Sequence, residues 1–178
     1  ELYDTKTEKV VWSERWQKNW NEFPSIRDVL AENILEKLKV DYNTASPKIA
    51  LNPDAYEFYL KAKHKYEKRE NKDDAKIAQG LADKAIELDD NLIRAKVFLA
   101  YTYTDMGDND KAIEVLDPAM EQAQKLGDKQ GEAAILGALG TTYMNKGNLD
   151  LMIGYHEKAL AIYQETGNTE KLYHNLYT

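Results

Sequence analysis

The stretch Phe98–Ala119, FLAYTYTDMGDNDKAIEVLDPA, decides the fold, because the chain writes it again forty residues later as ALGTTYMNKGNLDLMIGYHEKA, Ala138–Ala159. The slots correspond one by one. Ala100, Tyr103, Gly107, Ala112, Leu116 and Ala119 in the first copy meet Gly140, Tyr143, Gly147, Met152, His156 and Ala159 in the second. Each slot has a physical use. Gly107 and Gly147 end a helix where a left-handed residue is cheap only for glycine. Asp108 and Asn148 follow as N-caps for the next helix. Ala100 or Gly140 lets a second helix approach closely, at Ala112 or Met152, with Tyr103 or Tyr143 filling the space beside the contact.

Working outward, an earlier copy ends in ADKAIELDDN, where Ala85 precedes Ala119 by 34 residues. Its first helix carries the small residue Ala62, but Ala62 to Ala85 is 23 residues where the later copies have 19. The excess predicts an extra turn or a longer loop around KRENKDD. Helices are expected over 53–69, 73–88, 91–106, 109–126, 129–146 and 148–166. Asn52-Pro53 opens the first as N-cap and proline at the first helical position. Gly127 and Gly167 close the longer second helices of the later copies. Pro118 sits inside one of these, where it removes an N–H and predicts a kink near Asp117. A seventh helix is expected from Thr169.

The joint pattern over Asn52–Thr178 resembles the tetratricopeptide repeat (TPR), a helix–turn–helix unit of about 34 residues. The resemblance implies an all-α fold: a TPR-type α-solenoid of antiparallel helix pairs, wound as a right-handed superhelix, with about three repeats and a final helix over residues 52–178. It also implies that the first helices of successive repeats line a concave groove. The groove positions then fall on Tyr56, Tyr59, Lys63 and Tyr66, on Arg94, Val97, Tyr101 and Thr104, and on Ala134, Gly137, Thr141 and Met144. Some TPR proteins grip a C-terminal carboxylate with paired Lys and Asn in these slots; here Val97 and Tyr101 occupy the diagnostic positions, so that mode is not expected.

Residues 1–50 differ in texture. ELYD and KVVW are short apolar runs separated by polar TKTE, which predicts a hairpin. Ser25, after Pro24, caps a helix with Ile26, Val29, Leu30, Ile34, Leu35 and Leu38 along one face. Trp12, Trp16 and Trp20 are spaced by four, so a helix beginning at Ser13 is the competing reading. The residues Trp12-Ser13-Glu14-Arg15, Phe23, Ile26, Asp28 and Ala31, followed by Asn52-Pro53 and Ala55-Tyr56, resemble a join in bacterial multidomain signalling proteins. There a TolB-like domain ends in a hairpin and helix, TPR units follow, and an adenylate or guanylate cyclase domain or a kinase often precedes. Glu8, where a turn glycine is usual, and Arg27, in place of a common Gln, depart from that pattern. The resemblance makes 1–50 a hairpin–helix remnant of such a domain. Its unpartnered hairpin edge implies a homodimer through residues 1–24.

Composition narrows the function. The chain has 178 residues, 24 Lys and Arg against 31 Asp and Glu, and a net charge of -7. That balance opposes affinity for phosphates or an anionic membrane surface, so neither nucleic acid nor membrane is expected as partner. With no cysteine, disulfide and thiolate chemistry are excluded. No apolar run approaches the roughly 20 residues a membrane span needs, and the charged start lacks a signal-peptide core. A cytoplasmic location is expected, and the start at Glu1 reads as that of a fragment or a processed chain. His64, His156 and His174 show no ligand spacing. GALG at Gly137–Gly140 lies within a helix pattern and is no phosphate loop. Asp73-Asp74 and Asp89-Asp90 fall at turns, where they cap helices. No catalytic residue, metal or cofactor is therefore expected. The expected function is a scaffold that binds a protein or peptide in the groove, or that self-associates; the alternative is a regulatory region of a larger cyclase or kinase.

Overall fold

The computed structural model describes the strand residues 2–4 and 9–12 and the continuous segment 52–167. The chain divides into two compact units, Glu1–Ala45 and Ser46–Thr178. In the first, β1 (Leu2–Asp4) pairs antiparallel with β2 (Lys9–Trp12), and the register slips by one between Leu2 and Tyr3. The predicted helices from Ser13 or Ser25 and from Thr169 lie outside the described residues, as do His174, Trp16 and Trp20.

The second unit contains α1 (Pro53–Glu67), α2 (Lys72–Leu88), α3 (Ile93–Asp105), α4 (Asn109–Leu126), α5 (Lys129–Asn145) and α6 (Leu149–Glu165). They form three helix pairs, stacked as a TPR-type α-solenoid. Local chemistry explains the boundaries. Asn52 caps α1 by accepting from the N–H groups of Asp54 and Ala55. Gly107, Gly127, Gly147 and Gly167 have φ of 85°, 66°, 76° and 67° and follow α3, α4, α5 and α6. At three of these ends the next residue's N–H reaches back to Tyr103, Ala123 or Tyr143, satisfying a carbonyl that the helix leaves open.

The excess in the first copy is split. The α1–α2 connection, Lys68–Asn71, is one residue longer than the α3–α4 connection, and the remainder lies in α2 ahead of Ala85, although α2 as a whole is no longer than α4. Pro118 is accommodated within α4, which continues on both sides of it. Three predicted caps are corrected. Asp89 and Asp90 give α3 no side-chain cap. Asp108 makes no side-chain cap bond to α4; its carboxylate accepts from Lys111 Nζ at 2.6 Å. Asn71, not Asp73 or Asp74, caps α2, while Asp74 accepts from the Glu70 N–H at 3.0 Å. Asn148 caps α6 as expected, accepting from the Leu151 N–H.

Fourteen of the twenty-three buried apolar residues among those described are alanine. The helices therefore nest backbone to backbone, and a few larger side chains do the filling. Ala100 and Ala112 are fully buried in one cluster with Leu116, Ala119, Ile135 and Leu139, and Tyr103 and Tyr143 pack against it. In the third pair the nesting is different from the prediction. A Cβ on Gly140 would lie 2.7 Å from His156 Nε2, so Gly140 makes room for the imidazole, not for Met152. The stacked rings of Tyr143 and Tyr155, 5.4 Å apart, lie beside this contact.

Candidate functional site

The first helix of each pair, α1, α3 and α5, carries one of the three sets of predicted groove residues. Tyr56, Tyr59 and Tyr66 are half-buried on α1, and Lys63 is exposed among them. On α3, Arg94 is exposed and Tyr101 is 40% exposed. On α5, Thr141 and Ala134 are half-buried and Met144 is 40% exposed. Val97, Thr104 and Gly137 are enclosed and drop out of any accessible face. For Val97 and Thr104 the reason is the close approach of α5 to α3, which covers the side of α3 that they occupy, while Gly137 is buried within α5. Val97 joins the cluster containing Ile135 and Ala138, and the Thr104 hydroxyl lies 2.8 Å from that of Thr142.

Between α1 and α3 the contact is aromatic. Tyr59 meets Tyr56 at 5.7 Å between ring centres and Phe98 edge-on at 6.2 Å. Tyr66 meets the same Phe98 edge-on at 5.7 Å, a geometry that favours ring quadrupoles. At the far end of these helices Tyr66 Oη donates to Asp105 Oδ2 at 2.6 Å, and Arg69 Nη2 donates to the same oxygen at 2.9 Å. The Arg69 guanidinium also covers the Tyr66 ring at 3.8 Å. Desolvation, and then the hydrogen bond to Asp105, push the Tyr66 phenol up to about 12; Asp105's charge adds to this and Arg69 opposes it.

Between α3 and α5 the apolar packing of Val97 on Ile135 and Ala138 is joined by polar contacts. Asn145 Nδ2 donates to the Thr104 carbonyl at 3.3 Å, and the Thr104 and Thr142 hydroxyls meet at 2.8 Å. Desolvation of its phenol end, with the Tyr163 phenol nearby, pushes Tyr101 up to about 12 although 40% of the residue stays exposed, and Thr141 opposes the shift. Burial also raises Tyr59, while the positive charge of Arg94 pulls it back. At working pH this face therefore presents neutral phenols as donors and acceptors beside two exposed cations.

Phe98, Arg69, Asp105 and Asn145 belong to the face but were not singled out from the sequence. Asp105 was legible: Arg94, Tyr101 and Asp105 are spaced seven and four apart, on one helical stripe. Arg69 was not, since it lies beyond the end of α1 and its partner is 36 residues away. The acidic turn at Asp89-Asp90 is structural. Asp89 accepts from the Asn52 N–H and Asp90 from Lys96 Nζ at 2.6 Å, while Gln122 Nε2 bonds Asp90 and Asn91. Its bond to Lys96 is the main cause holding the Asp90 carboxyl below the usual range. Among the described residues no group of three or more His, Asp and Glu is placed to hold a metal ion, and no helix is long and apolar enough to cross a membrane.

Stacked helix pairs with a side-chain-rich face along their first helices define a repeat solenoid of the tetratricopeptide type. Residues 91–165 match the tetratricopeptide repeat family. Among solved structures the chain is similar to the N-terminal domain of stress-induced protein-1 (STI-1) from C. elegans. That match has 19% identity and a TM-score of 0.52, and covers 68% of this chain and 93% of the other. At this identity the likeness speaks for the fold alone. Among curated proteins no match is found.

Proposed function

We infer that this chain is a non-catalytic interaction module that holds a polypeptide against the face of α1, α3 and α5. The observation that carries this reading is the concentration of half-buried Tyr56, Tyr59 and Tyr66 and exposed Tyr101 beside exposed Arg94 and Lys63 on adjacent first helices. Tyr and Arg are the side chains that most often anchor interfaces: Tyr brings apolar area and a polar tip at little entropic cost, and Arg a planar group with five donors. The resemblance to TPR proteins, whose repeats bind proteins or peptides, supports the same reading. Photo-crosslinking tests it. Tyr101→p-benzoylphenylalanine should give polypeptide adducts, and Glu114→p-benzoylphenylalanine, on the exposed side of α4, should not. Equal labelling at both positions, or labelling at 114 alone, would place the partner elsewhere.

Self-association is a second reading, favoured by one observation: among the described residues β1 and β2 pair only with one another. Open strand edges recruit further strands. Sedimentation should then show a dimer that is lost when residues 1–24 are removed; a monomer at every concentration measured would rule this out. The regulatory role beside a cyclase or kinase rests on the resemblance of the Trp12–Arg15 stretch and its flanks.

A further inference from the structure

We propose that the polypeptide held on this face is an acidic one: a segment with an Asp or Glu side chain next to an apolar residue. Its carboxylate would be received by Arg94 and Lys63, and its apolar neighbour would lie on Tyr56 and Tyr59. This rests on the reading that the partner occupies the α1–α3–α5 face.

The argument is one of charge complementarity against the background of the whole chain. With a net charge of -7, the surface as a whole repels acidic segments, so a cationic spot is a local exception. Many of the described lysines are already committed: Lys61 to Glu57, Lys65 to Asp74, Lys96 to Asp90, Lys111 to Asp108, Lys129 to Glu132 and Lys146 to Asp110. Lys63 and Arg94 are exposed, and among the described residues neither has a carboxylate partner. The acids of the same face are placed so that they leave this spot uncompensated. Asp105 is taken by Arg69 and Tyr66 at the far end of α3. Glu132 is buried and bound by Lys129. Glu67 lies one turn beyond Lys63, toward the Asp105 end, with no ion pair between the two.

Arg94 is also the second residue of α3, whose N-terminus has no side-chain cap, so the helix dipole adds to its charge. Arg94 lies one turn before Phe98, whose ring meets Tyr59 edge-on at 6.2 Å, so the cation adjoins the aromatic floor. A neutral apolar peptide would leave both cations facing solvent for no gain. A carboxylate beside an apolar side chain satisfies both halves of the spot, and partial burial strengthens the charge-assisted bonds.

The test uses a random peptide library displayed on phage and panned on the full 178-residue chain. Enriched peptides should share an Asp or Glu adjacent to a Leu, Ile, Phe, Trp or Met. As synthetic peptides they should lose about tenfold or more in affinity on Arg94→Glu or Lys63→Glu, and weaken with added salt. Replacing the peptide's acid by its amide should cost a similar factor. Peptides without an acid, displaced by Tyr101→Ala yet indifferent to both charge reversals, would overturn the acidic partner and leave the binding face standing. Peptides indifferent to all three substitutions would overturn both. Failure to enrich any peptide would count against the proposal as well. Circular dichroism of each variant checks that the fold is retained, as expected for two exposed positions.

Discussion

The pair Thr104 and Thr142 offers a quantitative test of how the first helices are joined. Both side chains are buried, 4% and 0% exposed, on facing sides of α3 and α5. Thr142 Oγ1 donates to the Ala138 carbonyl at 2.8 Å, so its one hydrogen is spent. The 2.8 Å contact between the hydroxyls therefore runs from Thr104 as donor to Thr142 as acceptor. This direction makes the two isosteric substitutions unequal. Thr142→Val strands a buried donor on Thr104, and should cost about 1–3 kcal/mol. Thr104→Val removes one incoming bond from a hydroxyl that keeps its other partner, and should cost about 0.5–1.5 kcal/mol. The double variant removes both hydroxyls and leaves nothing stranded, so its cost should fall well below the sum of the two singles, toward zero. Urea unfolding followed by far-ultraviolet circular dichroism reads this, with the denaturant slope checked for constancy across the four proteins. In thermal melts each kcal/mol corresponds to about 2–4 °C for a chain of this size. If the double variant is destabilised by the sum of the singles within about 0.5 kcal/mol, the hydroxyls do not bond across the helices and the reasoning fails.

Two further outcomes follow from contacts elsewhere. Gly140→Ala would ordinarily gain about 1 kcal/mol in a helix interior, but the new methyl meets His156 at 2.7 Å. The substitution should instead destabilise by about 1–3 kcal/mol, with recovery in the Gly140→Ala, His156→Ala double variant; a more stable single variant would show that α5 and α6 do not nest there. The second outcome concerns alkaline pH. Tyr66 and Tyr101 are raised to about 12, and Tyr59, Tyr103, Tyr155 and Tyr163 are raised as well, against about 10 in an unfolded chain. Folding therefore favours the neutral phenols; the contribution of Tyr66 and Tyr101 is intact below about pH 10 and is lost as pH rises through about 12, and the other four shift it in the same direction. Stability should be level at neutral pH and fall over that window, with phenolate absorbance rising late. Phenols that all titrate near 10 while the helical spectrum persists would contradict the burial assigned to them.

What the sequence determined by itself was the order and extent of the six helices between Pro53 and Glu165. The ends of α3, α4, α5 and α6 were legible because a positive φ is cheap only for glycine, and four glycines fall where the helical pattern stops. Asn52-Pro53 fixed the start of α1 for a reason equally local: a side-chain oxygen satisfying N–H groups two and three residues on. The spacing of Ala100 and Ala112 announced a close helix pair, since only small residues let two backbones approach so nearly. Such rules act over a few residues, so one chain read in order contains them.

The tertiary structure alone decided which sides of those helices remain open. Val97 and Thr104 share a sequence stripe with Arg94 and Tyr101, yet α5 covers them and leaves the other two accessible. Gly140 meets His156 and not Met152, and Arg69 closes on Asp105 across the stack. Burial and pairing of this kind depend on how far one helix is rotated against its neighbour. That rotation comes from the packing of all their side chains at once, and no single spacing along the chain encodes it.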